Sequence, residues 1–296
     1  MEFAGVIPPA VTPFDSNEDL DERSLRGEVE YLIAAGASGI CVTGSTGEGA
    51  TLTLAESARV ARIVSDQARH RVPIISGIIQ NSTRVVQEFA QASQAAGVDA
   101  LQVTPVHYLF APDAGGTVDF YRAIARQIPL PIFIYNVIPW ASLDPATLVR
   151  VMHEVSHVIG VKQSGGDMHK LADLLTMVSP EHLVFTAIDD LLYPSFVLGV
   201  HGTIAGIATA IPRTVVELWD AVQRADHAKA LQLHRIALQM WRAIEGSNMP
   251  AKMKLALQLQ NRSSGVARSP YAAITEEQRQ AIERAVELAR PYEAGV

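Results

Sequence analysis

Apolar residues in this chain gather in short, near-continuous runs separated by longer amphipathic stretches. Eight runs stand out, at residues 6–11, 39–43, 73–76, 100–104, 131–135, 158–162, 183–186 and 202–205. Each has the length of a buried strand, and most are rich in Val and Ile. Continuous apolarity, rather than alternation, marks parallel strands covered on both faces. Between the runs, apolar residues recur at three- and four-residue spacings over 21–35, 53–68, 82–96, 117–127, 144–154, 167–178, 189–198 and around 213–222, which predicts helices. Thr53 with Glu56 three residues later, Asp144 before Pro145, and Asp167 are helix-start signals. Asp189 reads as the cap of the helix that follows it. Gly36, Gly97 and Gly199 stand where a helix end takes a left-handed residue.

Eight strand–helix units predict an α/β fold, a (β/α)8 TIM barrel, over residues 1–224. Residues 225–296 read as a C-terminal helical extension, with helices around 225–245, 250–260 and 275–289. Barrels of this kind place their sites at the C-terminal ends of the strands, which says where to look for chemistry.

Composition narrows the function. A chain of 296 residues that is 48% hydrophobic can build one large core, and 19% charged residues is too few for a disordered chain. The net charge is −7 and no basic block occurs, which argues against nucleic acid as a partner and against anionic membranes. There is no long uninterrupted apolar run and no signal-peptide pattern at the start, so a cytoplasmic protein without a membrane partner is expected. The single cysteine, Cys41, lies in an apolar run and is expected to be a buried core thiol.

Three strand ends carry candidate chemistry. After the second run comes Thr43-Gly44-Ser45-Thr46-Gly47-Glu48-Gly49, a turn with amides and hydroxyls suited to an anion such as a carboxylate or phosphate. It is neither a Walker A loop nor a G-x-G-x-x-G motif. The fifth run ends Tyr135-Asn136-Val137, where a phenol can shuttle protons. The sixth ends Gly160-Val161-Lys162-Gln163-Ser164. Of five lysines, Lys170, Lys229, Lys252 and Lys254 fall in helical patterns, where solvated faces are expected, and Lys162 alone ends a buried strand. Burial favours the neutral, nucleophilic form of an amine. Amine, phenol, hydroxyls and anion cradle on one barrel face suit capture of a 2-oxo acid such as pyruvate through a Schiff base.

With Ala10-Val11-Thr12-Pro13-Phe14, Val103-Thr104-Pro105 and the motifs just given, the chain resembles the dihydrodipicolinate synthase / N-acetylneuraminate lyase family of class I aldolases over nearly its whole length. The resemblance implies Lys162 as the Schiff-base lysine, Tyr135 as the acid/base, Ser45 as the hydroxyl that relays protons to it, and Thr46 as the residue that holds the carboxylate with help from backbone amides. Gly47 and Ile204 complete the expected substrate-binding set. It also implies a homotetramer and no metal or organic cofactor, because the iminium is itself the electron sink. Departures are local. Trp140 stands where dihydrodipicolinate synthases carry an arginine for the second substrate's carboxylate, and an indole makes no bidentate salt bridge. His107 and Tyr108 occupy the loop that normally gives the relay a tyrosine, so either serves as the candidate there. Gln163 replaces a common glutamate. The expected function is a lyase that cleaves or forms a C–C bond on pyruvate or a related 2-oxo acid. The alternatives are a 2-keto-3-deoxy sugar acid dehydratase, a true dihydrodipicolinate synthase, and a catalytically silent 2-oxo acid binding protein.

His153-Glu154-Val155-Ser156-His157 matches H-E-x-x-H, but a zinc peptidase needs both histidines on one helix face. Here a strand is expected to start immediately after His157, which breaks that geometry. Residues 247–252 resemble a family segment and are taken as structural.

Overall fold

The computed structural model describes residues 3–294. Eight strands form one sheet: β1 (Gly5–Val6), β2 (Ile40–Val42), β3 (Ile74–Ile78), β4 (Ala100–Val103), β5 (Ile132–Asn136), β6 (Val158–Gln163), β7 (Leu183–Thr186) and β8 (Gly202–Thr203). Their order is β1-β8-β7-β6-β5-β4-β3-β2, and all neighbours are parallel. The ring closes between the first and second strands through a parallel bridge of Pro9 with Cys41. There Ala10 N–H donates to the Cys41 carbonyl at 2.8 Å and Cys41 N–H to the Pro8 carbonyl at 3.0 Å. The run predicted over 6–11 yields only a two-residue strand, because Pro8 and Pro9 have no N–H to continue a ladder. The architecture is the (β/α)8 barrel that the periodicity predicts.

Helices α1 (Glu22–Ala34), α2 (Leu54–Ala68), α3 (Thr83–Ala95), α4 (Ala114–Ala125), α5 (Pro145–Glu154), α6 (Met168–Met177) and α7 (Leu192–Val197) follow the first seven strands. The eighth is followed by a single turn, α8 (Ile207–Ala210), and then α9 (Pro212–Gln223). Thr53 and Glu56 form the expected capping box, Asp144 accepts from Thr147 N–H, and Asp167 accepts from His169 and Lys170 N–H. Gly36, Gly97 and Gly199 adopt φ of 90°, 86° and 93°, the left-handed region a side chain would resist. The starts of α4 and α7 differ from expectation. Helix α4 starts three residues early, because Asp113 accepts from Gly116 N–H and nucleates a turn that two glycines disguise. Asp189 does not cap its own helix: residues 189–191 form a 3₁₀ turn, and α7 begins without a side-chain cap. The turn carries the Asp189 carboxylate across the barrel mouth, where it accepts from Ile207 N–H at 2.7 Å.

Inside the barrel, Ile7, Cys41, Ile75, Ala100, Phe133, Phe185 and Ile204 pack together, with Phe133 and Phe185 edge to face at 5.7 Å. Cys41 is the buried thiol expected, and burial pushes it up to about 11, away from reactivity. A second, larger apolar layer fills the space between sheet and helices.

The chain ends in α10 (His227–Ile244), α11 (Met249–Gln258) and α12 (Glu276–Glu293). Glu293 caps α9 by accepting from the Thr214 N–H at 2.8 Å and hydroxyl at 2.7 Å. Two buried ion pairs join this region to the barrel: Arg262 with Glu28 at 2.5 Å and Lys254 with Glu48 at 2.6 Å. Among the described residues, no helix is long and apolar enough to cross a membrane.

Candidate active site

Strand register builds the centre. Tyr135 on β5 pairs with Lys162 on β6, so both side chains leave the sheet at the same height. Both are buried, and the Lys162 Nζ lies 4.2 Å from the centroid of the Tyr135 ring. Among the described residues, Lys162 Nζ has no hydrogen-bond acceptor and no carboxylate partner. The expectation of solvated helix faces holds for Lys170 but fails for Lys252 and Lys254, which are both buried. Lys254 Nζ binds Glu48 and the Val266 carbonyl, and Lys252 Nζ donates to the Glu245 carbonyl. The free amine, rather than burial alone, distinguishes Lys162.

The phenol of Tyr135 donates to Ser45 Oγ at 3.0 Å and receives a long 3.4 Å contact from Ser45 N–H. Ser45 is exposed at the barrel mouth, so the pair connects a buried phenol to solvent. The loop around it is rigid. Thr12 Oγ1 donates to the Gly47 carbonyl at 2.6 Å, Gly49 N–H to the Gly44 carbonyl at 3.0 Å, and Glu48 N–H to the Ser45 carbonyl at 3.1 Å. A Cβ on Gly47 would stand 2.9 Å from the Ala10 carbonyl oxygen, so only glycine fits there. Among the described residues, the N–H groups of Thr46 and Gly47 and the Thr46 hydroxyl make no hydrogen bond. Three open donors on a fixed turn form an anion cradle.

Two polar residues here, the partly buried Asp189 and the wholly buried Gln102, stand at the site although the sequence singled out neither for it. A Cβ on Gly206 would lie 3.4 Å from Asp189 Oδ1 and 3.5 Å from both Thr46 Oγ1 and Trp241, so the Asp189 carboxylate sits beside the cradle. Burial pushes it up to about 7, although Ile207 N–H and Lys162 favour its charged form. Its folded value lies above that of a free carboxyl, so the folded chain keeps a proton that the unfolded chain releases. Its stabilising contribution is therefore complete below about pH 4 and is lost as pH rises towards 7. The stability difference between wild type and Asp189→Asn should fall by on the order of 3 kcal/mol from about pH 4 to pH 8 in urea titrations. A difference that does not vary with pH would show that Asp189 holds its proton no more tightly in the folded chain than in the unfolded one. The second residue is Gln102 on β4, whose amide among Ala100, Leu101 and Val103 was the visible signal. Beyond these, Asn136 donates to Gln163 Oε1 at 2.8 Å and accepts from Leu143 N–H at 2.9 Å, tying the ends of β5 and β6 together.

The remaining expected site residues make no hydrogen bond to Lys162, Tyr135 or Ser45 among the described residues. Ile204 is wholly buried in the barrel interior. His107 is held by Asn81, its N–H donating to Asn81 Oδ1 at 2.8 Å, and its carbonyl accepts the Trp140 indole N–H at 2.9 Å. Tyr108 and Trp140 are 71% and 76% exposed, and within one chain neither His107 nor Tyr108 bonds to Tyr135 or Ser45. The two histidines of the H-E-x-x-H match are separated by the end of α5. His153 faces Ser179 and His182, and His157 faces the Ala125 carbonyl.

A free buried amine, a phenol wired to solvent and an anion cradle in one barrel mouth are the equipment of a class I aldolase, a lyase that works through a lysine imine. The comparisons agree. The model of the dihydrodipicolinate synthetase family matches residues 2–289, and the chain belongs to that family. The 4-hydroxy-tetrahydrodipicolinate synthase of Methanopyrus kandleri is 31% identical over 287 residues, 96% of this chain and 95% of the relative. The crystal structure of a dihydrodipicolinate synthase from Bacillus anthracis superposes with a TM-score of 0.92 at 28% identity, over 97% of this chain and 98% of that one. YagE, a prophage protein of the dihydrodipicolinic acid synthase family from E. coli K12 solved in complex with pyruvate, gives 0.91 at 26% identity, over 98% and 99%.

Proposed function

We propose that this lyase captures pyruvate or a closely related 2-oxo acid as an imine on Lys162 and makes or breaks a C–C bond at C3 of the bound acid. The unpartnered, buried amine of Lys162 beside Tyr135 carries this reading. In it, the carboxylate of the acid rests on the Thr46 and Gly47 amides and the Thr46 hydroxyl. Lys162 attacks the ketone carbon, Tyr135 protonates the departing hydroxyl, and Ser45 restores the tyrosine proton from the solvent side. The protonated imine then accepts the electron pair released at C3 when the bond breaks, or when a proton leaves before condensation.

Trp140 governs the partner substrate. It offers an indole on the loop after β5, which suits an apolar or aromatic group better than a carboxylate. The exposed cluster of Tyr108, Leu109, Phe110 and Trp140 supports assembly as a homotetramer, in which His107 or Tyr108 would face a neighbouring site. The same proposal places the enzyme in the cytoplasm. Borohydride reduction in the presence of pyruvate tests the imine. A mass increase of one reduced pyruvyl group on Lys162 is expected, mapped by peptide sequencing. An unmodified protein after treatment with each short 2-oxo acid would leave only a binding role.

A further inference from the structure

Gln102 shares the inward-facing side of β4 with Ala100, two residues earlier, which packs in the barrel interior. It is completely buried, and among the described residues neither atom of its amide has a hydrogen-bond partner. A native core rarely keeps such a group without a use for it. The hydroxyls of Thr43 after β2, Ser76 on β3 and Ser93 on α3 are already committed: Thr43 Oγ1 donates to the Gly77 carbonyl at 2.8 Å, and the Ser76 and Ser93 hydroxyls bond each other at 2.9 Å. A Cβ placed on Gly44 would lie 3.1 Å from Gln102 Nε2 and 3.7 Å from Tyr135 Oη. The amide therefore lies directly under the Gly-rich turn, on the side of the phenol. Tyr135 has room for it, because among the described residues its oxygen receives only the long contact from Ser45 N–H.

We infer that Gln102 is a positioning residue of the proton relay: its amide turns to donate to the Tyr135 oxygen once that oxygen has given up its proton. The inference rests on imine formation at Lys162. In that step the carbinolamine hydroxyl takes the Tyr135 proton and leaves as water, and the nitrogen lone pair forms the C=N bond. The phenolate keeps the O–H electron pair, and Gln102 N–H stabilises it without transferring a proton. A proton then returns to Tyr135 from Ser45, which regains one from water. The same support acts when Tyr135 serves the proton at C3.

The probe is pyruvate, and the reaction is exchange of its methyl protons with deuterated water, followed by NMR. This requires the imine and the relay but no second substrate. Gln102→Met preserves length and removes both polar atoms. Its maximal exchange rate should fall about ten- to a hundredfold, the scale of losing one preorganised donor to a developing oxyanion, with KM for pyruvate unchanged. In a Tyr135→Phe background the same change should have no further effect, because Gln102 acts through the phenol. Gln102→Leu repeats both measurements should the methionine variant not fold. Unchanged exchange in the single variant, or an equal loss in the Tyr135→Phe background, would overturn the inference. Failure of imine formation is separately visible, since wild type would then give neither exchange nor a borohydride adduct.

Discussion

Lys162→Ala should lose the borohydride adduct entirely and slow pyruvate methyl exchange on the order of 10⁴-fold or more, as happens when a nucleophile that acts as a unit with its acid/base partners is removed. No other buried lysine has a free amine among the described residues. Lys252 and Lys254 are as inaccessible as Lys162, but their amines are bound to the Glu245 carbonyl and to Glu48. Lys229 pairs with Glu217 at 3.2 Å on a helix, away from the barrel mouth. The fold should survive, because Lys162 Nζ holds no hydrogen bond whose loss would orphan another buried group. Circular dichroism and thermal unfolding check that point, and mass spectrometry checks the adduct. An adduct retained in Lys162→Ala would move the nucleophile elsewhere.

Lys254→Met should destabilise the protein by about 3–5 kcal/mol, the cost of leaving a buried carboxylate without its counter-charge. The Lys254–Glu48 pair is closed to solvent on both sides, with side-chain exposures of 2% and 0%. Burial holds the Lys254 amine below its usual range while Glu48 draws it back up, the balance expected of a charge that relies on its partner. The pair is also a joint. Glu48 accepts from Arg268 N–H at 2.9 Å, Lys254 donates to the Val266 carbonyl at 2.5 Å, and both cations flank the Phe14 ring. The cradle turn is thus fastened to α11 and to the segment after it, so KM for the 2-oxo acid should rise together with the loss of stability. Urea unfolding measures the first effect. The double variant Glu48→Gln/Lys254→Met removes the uncompensated charge and should recover most of the lost stability. If the double variant is as unstable as the single one, packing rather than charge holds this joint.

The barrel was legible because its determinants are local. Eight Val- and Ile-rich runs, helical spacing between them, and caps such as Thr53 with Glu56 each act within a few residues, so a linear reading recovers them. The lapses in the fold are local too: prolines that shorten β1, and glycines that hide the start of α4. Lys162, Tyr135, Ser45 and Thr46 could be named from strand ends and motif order. The structure brings Tyr135 against Lys162 and Ser45, and it keeps His107 and Trp140 at the rim.

What sequence alone could not supply was the state of each polar group, because that depends on partners distant in the chain. Lys254 reads as an ordinary surface lysine on a helix until Glu48 is brought to it. Asp189 reads as a cap for the next helix until a 3₁₀ turn aims it at Ile207 and Thr46. Gln102 is one polar letter in an apolar strand until Gly44 and Tyr135 close over it. Periodicity and turn chemistry determined the barrel and the face that carries the chemistry, since those follow from short-range geometry. Only the tertiary structure decided which amine is free, which carboxyl is pushed above its usual range and which amide is left unpartnered, since desolvation and pairing are set by atoms that meet after folding.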